Sequence, residues 1–171
     1  MGAMYVHPFR IPNRTEPNRP FQEVEFATTE GLTLRGWFVP AEKPSSRTVI
    51  LCHGFSANRS MFLAFTKAAD LLEANVLLFD FRGHGDSDGH TVTMGWKEKH
   101  DVLAAACFLR RHYPAQSREL IGHGLSMGTS ALILAAAELD PPFDALILDS
   151  GFASATELTD NVLSGIPPTL R

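Results

Sequence analysis

Four short apolar runs, each separated from the next by a stretch with helical spacing or a linker, constrain this chain more than any other feature. They are Thr48-Val49-Ile50-Leu51-Cys52, Val76-Leu77-Leu78-Phe79, Leu120-Ile121 and Ala145-Leu146-Ile147-Leu148. Continuous apolar runs of this length suit strands buried on both faces. Between them, Met61, Phe62, Phe65, Ala69 and Leu72 share one helical side, and Val102, Ala106 and Leu109 mark a helix over about 96–112. A third helix is expected over 126–139, stopped by Pro141-Pro142. Strands alternating with helices imply βαβ units and a mostly parallel sheet with helices on both faces. Before them, Val24 and Phe26, a turn at Glu30-Gly31, then Leu32, Leu34, Trp37 and Val39 read as an antiparallel hairpin.

The ends of the chain read differently. Residues 5–20 carry Pro8, Pro12, Pro17 and Pro20 and suit an extended surface arm. Met1-Gly2-Ala3-Met4 reads equally as a cloning remnant or as native sequence, and a remnant would leave any preceding native segment out of sight. Residues 152–171 read as a short helix cut off by Gly165 and Pro167-Pro168. The organisation is thus an arm over 1–20 and one domain over 21–171.

Composition removes several classes of function. With 44% hydrophobic and 20% charged residues, the chain has the balance of a soluble globular domain. A net charge of −4 argues against a nucleic-acid footprint or a polybasic membrane patch. No run approaches the ~18 apolar residues of a membrane span. Residues 1–10 lack the apolar core of a signal peptide. Cys52 and Cys107 both lie in apolar runs and read as reduced core residues. A cytoplasmic setting is the expectation.

The chemistry centres on Gly124-Leu125-Ser126-Met127-Gly128, directly after an expected strand and opening an expected helix. A serine hydroxyl is a poor nucleophile unless it is exposed beside a base and an oxyanion site. A sharp strand-to-helix turn supplies the exposure and leaves no room for side chains two residues to either side. The helix start also aims N–H groups at developing negative charge. The alternative is a glycine-rich connection that happens to carry a serine. Upstream, His53-Gly54-Phe55-Ser56 closes the first parallel strand. It reads either as an ordinary turn or as the source of a second backbone N–H for an oxyanion, a donor typically worth ~3 kcal/mol. The two donors would be the backbone N–H groups of Phe55 and Met127.

These segments, with Asp80-Phe81-Arg82-Gly83-His84-Gly85-Asp86-Ser87 and 95–101 with its Glu98, follow one order along the chain. In that order the chain resembles the α/β-hydrolase superfamily of serine esterases, lipases and peptidases over about residues 21–151. It is most similar to the BEM46-like group, some of which carry an N-terminal membrane anchor. The resemblance implies an α/β-hydrolase fold in which the strand at 145–148 lies inside the sheet. It implies Ser126 as nucleophile on a small carboxylic ester, with thioester or amide less favoured, and no cofactor. The family order of triad members is nucleophile, acid, histidine. All seven histidines (His7, His53, His84, His90, His100, His112 and His123) precede Ser126. The expectation is therefore the N-terminal two-thirds of a hydrolase, lacking two strands and a histidine expected beyond Arg171, so that this chain alone is inactive.

Asp149, at the end of the last strand, is a candidate acid against a structural strand-end carboxylate. His53 and His123 are the upstream histidines close enough by strand position to be weighed as substitute bases. His84, Asp86, Asp88 and His90 match neither an EF-hand loop nor a zinc helix, so no metal is expected. Asp80 and Arg82 read as buried structural groups. The alternative function is a non-catalytic binding or assembly module. Its apolar edge at 145–148 would need a dimer partner or a C-terminal segment to cover it.

Overall fold

A computed structural model describes residues 5–138, 140 and 142–151. The expected tail helix and the Met1–Met4 segment lie outside them. Among the described residues six strands form one sheet: β1 (Gln22–Ala27), β2 (Thr33–Val39), β3 (Arg47–Cys52), β4 (Asn75–Phe79), β5 (Glu119–Leu125) and β6 (Ala145–Asp149). Their order is β1-β2-β4-β3-β5-β6. β1 and β2 pair antiparallel, β2 joins β4 antiparallel, and the β4-β3-β5-β6 pairings are all parallel. Among the described residues three α-helices accompany the sheet: α1 (Leu63–Ala68), α2 (Glu98–His112) and α3 (Met127–Ala136). Among the described residues, no helix is long and apolar enough to cross a membrane.

The period of two along each strand sorts the side chains into two cores. Ile50, Cys52, Leu77, Phe79 and Leu120 point to the face covered by α2 and α3, where Val102, Ala106, Leu109, Ala131 and Leu132 meet them. Val49, Leu51, Val76, Leu78 and Ile121 point to the other face, against Trp37, Ala69, Phe62 and Phe65. Covered on both faces, β3 and β4 have no polar side to show, hence their unbroken apolar runs. Among the described residues β6 is the outermost strand, with Ile147 and Leu148 exposed.

Four details differ from the sequence-based expectation. The segment 59–72 is not one helix but α1 between 3₁₀ turns at Arg59–Phe62 and Ala69–Leu72. Asn58 and Thr66 bond to nearby backbone there, a local competition with regular helix. α2 starts at Glu98 rather than Trp96. The buried Glu98 carboxylate accepts the N–H of Thr93 and of Gly95 (φ +113°), which fixes a turn before the helix. α3 ends at Ala136, where the Glu138 N–H reaches the Ala135 carbonyl and tightens the last turn. Finally, Cys52 is buried but Cys107 is exposed. Cys107 follows the buried Ala105 and Ala106 on α2 and has rotated past the sheet-facing stripe.

The Pro-rich arm is extended but tied down. Val6 and Val92 exchange backbone hydrogen bonds. Arg10 donates to the carbonyls of Gly85, Ser87 and Gly89. Asn13 donates to Asp80 and Asp86.

Candidate active site

Ser126 occupies the turn between β5 and α3 with φ +52° and ψ −114°. An L residue in this region stores backbone strain, which persists only where the surroundings over-determine it. Here they do. The Ser126 N–H donates to the Asp149 carbonyl at 3.0 Å. The Thr129 hydroxyl lies 2.8 Å from the Gly124 carbonyl and 2.6 Å from that of Asp149. A Cβ on Gly124 would sit 2.6 Å from the Thr129 nitrogen, and one on Gly128 would run into the Cys52 carbonyl and come within 2.8 Å of the His53 oxygen. Both glycines are thus steric requirements, because the first turn of α3 lies directly against the ends of β5 and β3. The Ser126 side chain is half-buried.

The loop after β3 meets this turn. A Cβ on Gly54 would lie 3.6 Å from the Ser126 Cβ. His53, fully buried, hydrogen-bonds through Nδ1 to the Gly54 oxygen (2.8 Å) and through Nε2 with the Phe81 N–H (3.1 Å). Only the neutral ring with its proton on Nδ1 satisfies both. Desolvation by burial, then the neighbouring His84, push its pKa down to about 4. The Gly54 carbonyl shares a peptide unit with the Phe55 N–H, so His53 orients that N–H from its far side. Among the described residues the Phe55 N–H has no acceptor. Met127 begins α3, so its N–H has no intrahelical partner either.

The remaining candidates fall elsewhere. His123 points to the opposite sheet face, edge-on to Phe62 and Phe65, with burial lowering its pKa against the pull of Asp149. The Asp149 carboxylate is exposed and accepts from the Ser150 hydroxyl, while its backbone oxygen braces Ser126 and Thr129. Asp80 is buried and paired with Arg59 at 2.7 Å, and Arg59 also reaches Asp86. Arg82 is buried against Asp101 at 2.7 Å. His84 uses both ring nitrogens on backbone atoms of Arg82 and Ser56, and Asp88 accepts the Thr33 N–H. Among the described residues no metal-binding group of three or more His, Cys, Asp or Glu gathers. A groove of about 570 Å³ between β1 and α2 is lined by Phe26, His100, Leu103, Cys107 and Phe108 and shares no residue with the Ser126 site.

Sequence reasoning named Ser56 only as the last residue of the loop after β3, with no role of its own, and passed over Phe9. Ser56 has φ +52°, a value the sequence signals only when glycine occupies it. Its hydroxyl accepts the Phe9 N–H, a contact 47 residues apart along the chain.

Comparison with known proteins gives a consistent set. The family model described as alpha/beta hydrolase fold matches residues 47–169. The uncharacterized protein YqkD of Bacillus subtilis is 36% identical over 130 residues, covering 74% of this chain and 41% of that protein. Protein bem46 of Schizosaccharomyces pombe is 26% identical over 155 residues, covering 89% of this chain and 51% of its own length. A structure of the Pyrococcus furiosus esterase Pf2001 superposes with a TM-score of 0.80 at 28% identity, over 99% of this chain and 65% of the esterase. The chain spans about half the length of the curated relatives it matches.

Proposed function

Since this chain belongs to the α/β-hydrolase family, we propose that the protein is a serine hydrolase that cleaves a carboxylic ester through an acyl-enzyme on Ser126. The observation that carries the reading is the strained Ser126 turn, closed by two glycines that admit no Cβ and flanked by the N–H groups of Phe55 and Met127, which have no acceptor among the described residues. The esterase named among the structural neighbours supports a hydrolase of small acyl esters.

In this mechanism Ser126 Oγ adds to the ester carbonyl while a histidine takes its proton. The carbonyl oxygen becomes an oxyanion held by the Phe55 and Met127 N–H groups, at the positive end of α3. Collapse expels the alcohol, which receives the proton from the histidine. A water molecule, deprotonated by the same histidine, then releases the acid and restores Ser126. Neither His53 nor His84 suits the base, because each has both ring nitrogens committed within the fold. His123 faces the wrong side of the sheet. We therefore assign the base to a histidine beyond Arg171, with Asp149 or a later carboxylate as its acid.

The test is hydrolysis of medium-chain p-nitrophenyl esters by the full-length gene product. Ser126→Ala should lose at least ~10³-fold in kcat. The 171-residue chain alone should hydrolyse barely above background. A full-length Ser126→Ala protein as active as its parent would overturn the assignment and favour the non-catalytic binding or assembly reading.

A further inference from the structure

Ser56 is the second L residue near the site held at φ +52°, and it directly follows the Phe55 amide. Two bonds hold it there, both from outside its own loop. Its N–H donates to His84 Nε2 at 3.2 Å, and its hydroxyl accepts the Phe9 N–H at 3.3 Å. His84 is well placed to act as a fixed acceptor. Its Nδ1 meets the Arg82 carbonyl at 2.9 Å, which puts the proton on Nδ1 and leaves a lone pair on Nε2. The ring is fully buried, 4.9 Å between centroids from His53 and 6.1 Å from Phe55. Burial lowers its pKa, the Arg82 carbonyl, Glu98 and Asp80 pull the other way, and Arg10 adds to the lowering, so the ring stays neutral near pH 7.

The turn that carries His84 also holds the arm that carries Phe9. Arg10 donates to the carbonyls of Gly85 (3.1 Å), Ser87 (2.8 Å) and Gly89 (2.7 Å). Segment 82–89 therefore grips Ser56 twice, directly through His84 and indirectly through the arm. Two peptide units flank the Phe55 Cα. His53 fixes the first, through the Gly54 carbonyl, and His84 fixes the second, through the Ser56 N–H. With both planes fixed, the direction of the Phe55 N–H is fixed.

We propose that His84 is a positioning residue for the Phe55 oxyanion donor, and that the N-terminal arm completes the clamp through Phe9 and Ser56. This rests on the Ser126 hydrolase reading. His84 does not touch the substrate; it acts through the Ser56 amide, as a neutral acceptor in a clamp assembled from three separate segments.

The test uses the full-length gene product. Labelling of the parent at Ser126 with a fluorophosphonate comes first, since a blank there overturns the hydrolase reading and this inference with it. In a parent that labels, His84→Ala should lower kcat ~10- to 100-fold, with KM changed less than ~3-fold. His84→Gln, whose amide oxygen can accept from Ser56, should recover to within ~5-fold of the parent. Ser56→Ala, at a half-buried position where folding is little at risk, should lose ~3- to 10-fold in kcat. Unchanged kcat in Ser56→Ala, or equal losses in His84→Ala and His84→Gln, would overturn the clamp while leaving the hydrolase reading intact.

Discussion

Gly128→Ala sets two known effects against each other at one position. Gly128 lies in the first turn of α3, and alanine there gains ~1 kcal/mol of helix propensity. The new methyl, however, would run into the Cys52 carbonyl, 2.6 Å from its carbon and 2.8 Å from the His53 oxygen. Non-bonded heavy atoms prefer ~3.5–4.0 Å, so the start of α3 must retreat from the end of β3 by roughly 1 Å. All three obstructing atoms are backbone in a buried strand end, so no side chain can swing aside. Overpacking of this kind costs about 1–3 kcal/mol, with the rigid case at the upper end. The net loss is then ~2 kcal/mol, or ~4–8 °C in Tm for a domain of this size. The same retreat draws Ser126 away from the Phe55 loop, and a 1 Å misplacement costs about 10²-fold in rate. Thermal melting and the fluorophosphonate labelling rate of the full-length protein read the two effects separately. A Gly128→Ala protein with raised Tm and unchanged labelling would refute the steric account of the turn.

Two residues along the same helix the sign reverses. The Ser130 hydroxyl is buried without a partner among the described residues, so Ser130→Ala should stabilise by ~1 kcal/mol, read as a higher urea midpoint. Asp101→Ala leaves the buried Arg82 guanidinium with the partly exposed Glu30 as its remaining carboxylate and should cost about 3 kcal/mol; a loss under ~1 kcal/mol would mean that Glu30 and water compensate the charge. His53, with a folded pKa of about 4, refuses a proton that the unfolded chain accepts below ~6.5. Its contribution is complete above pH 6.5 and is lost as pH falls, roughly 3 kcal/mol by pH 4. Urea midpoints from pH 7 to 4.5 should fall more steeply in the parent than in His53→Gln, and parallel slopes would contradict this.

What the sequence made legible was whatever its local pattern enforces. The strand order along the chain, the hairpin and the helices on both faces follow from runs and periodicities that no other arrangement buries. Gly124 and Gly128 announce the Ser126 turn because only glycine fits there. Asp80 and Arg82 read as buried groups, but their partners Arg59 and Asp101 lie 21 and 19 residues away and carry no mark of it. The arm was legible as extended, not as tethered, since the hydrogen bonds of Arg10 and Asn13 span 67 to 79 residues. Ser56 was the hardest to see. A strained conformation held by long-range bonds on an ordinary residue leaves no trace in composition or spacing. Cys107 failed for a simpler reason: an apolar neighbourhood in sequence says nothing about which helical face a residue takes.

Every role proposed for this site depends on Ser126 acting as a nucleophile. The direct test is to treat the full-length gene product with a fluorophosphonate, digest it and locate the adduct by mass spectrometry. Attack by Ser126 Oγ on phosphorus displaces fluoride and leaves a stable phosphonyl serine. One adduct is expected, on the peptide that carries Ser126, and none in Ser126→Ala. An adduct on another residue, or equal labelling of the two proteins, would contradict it.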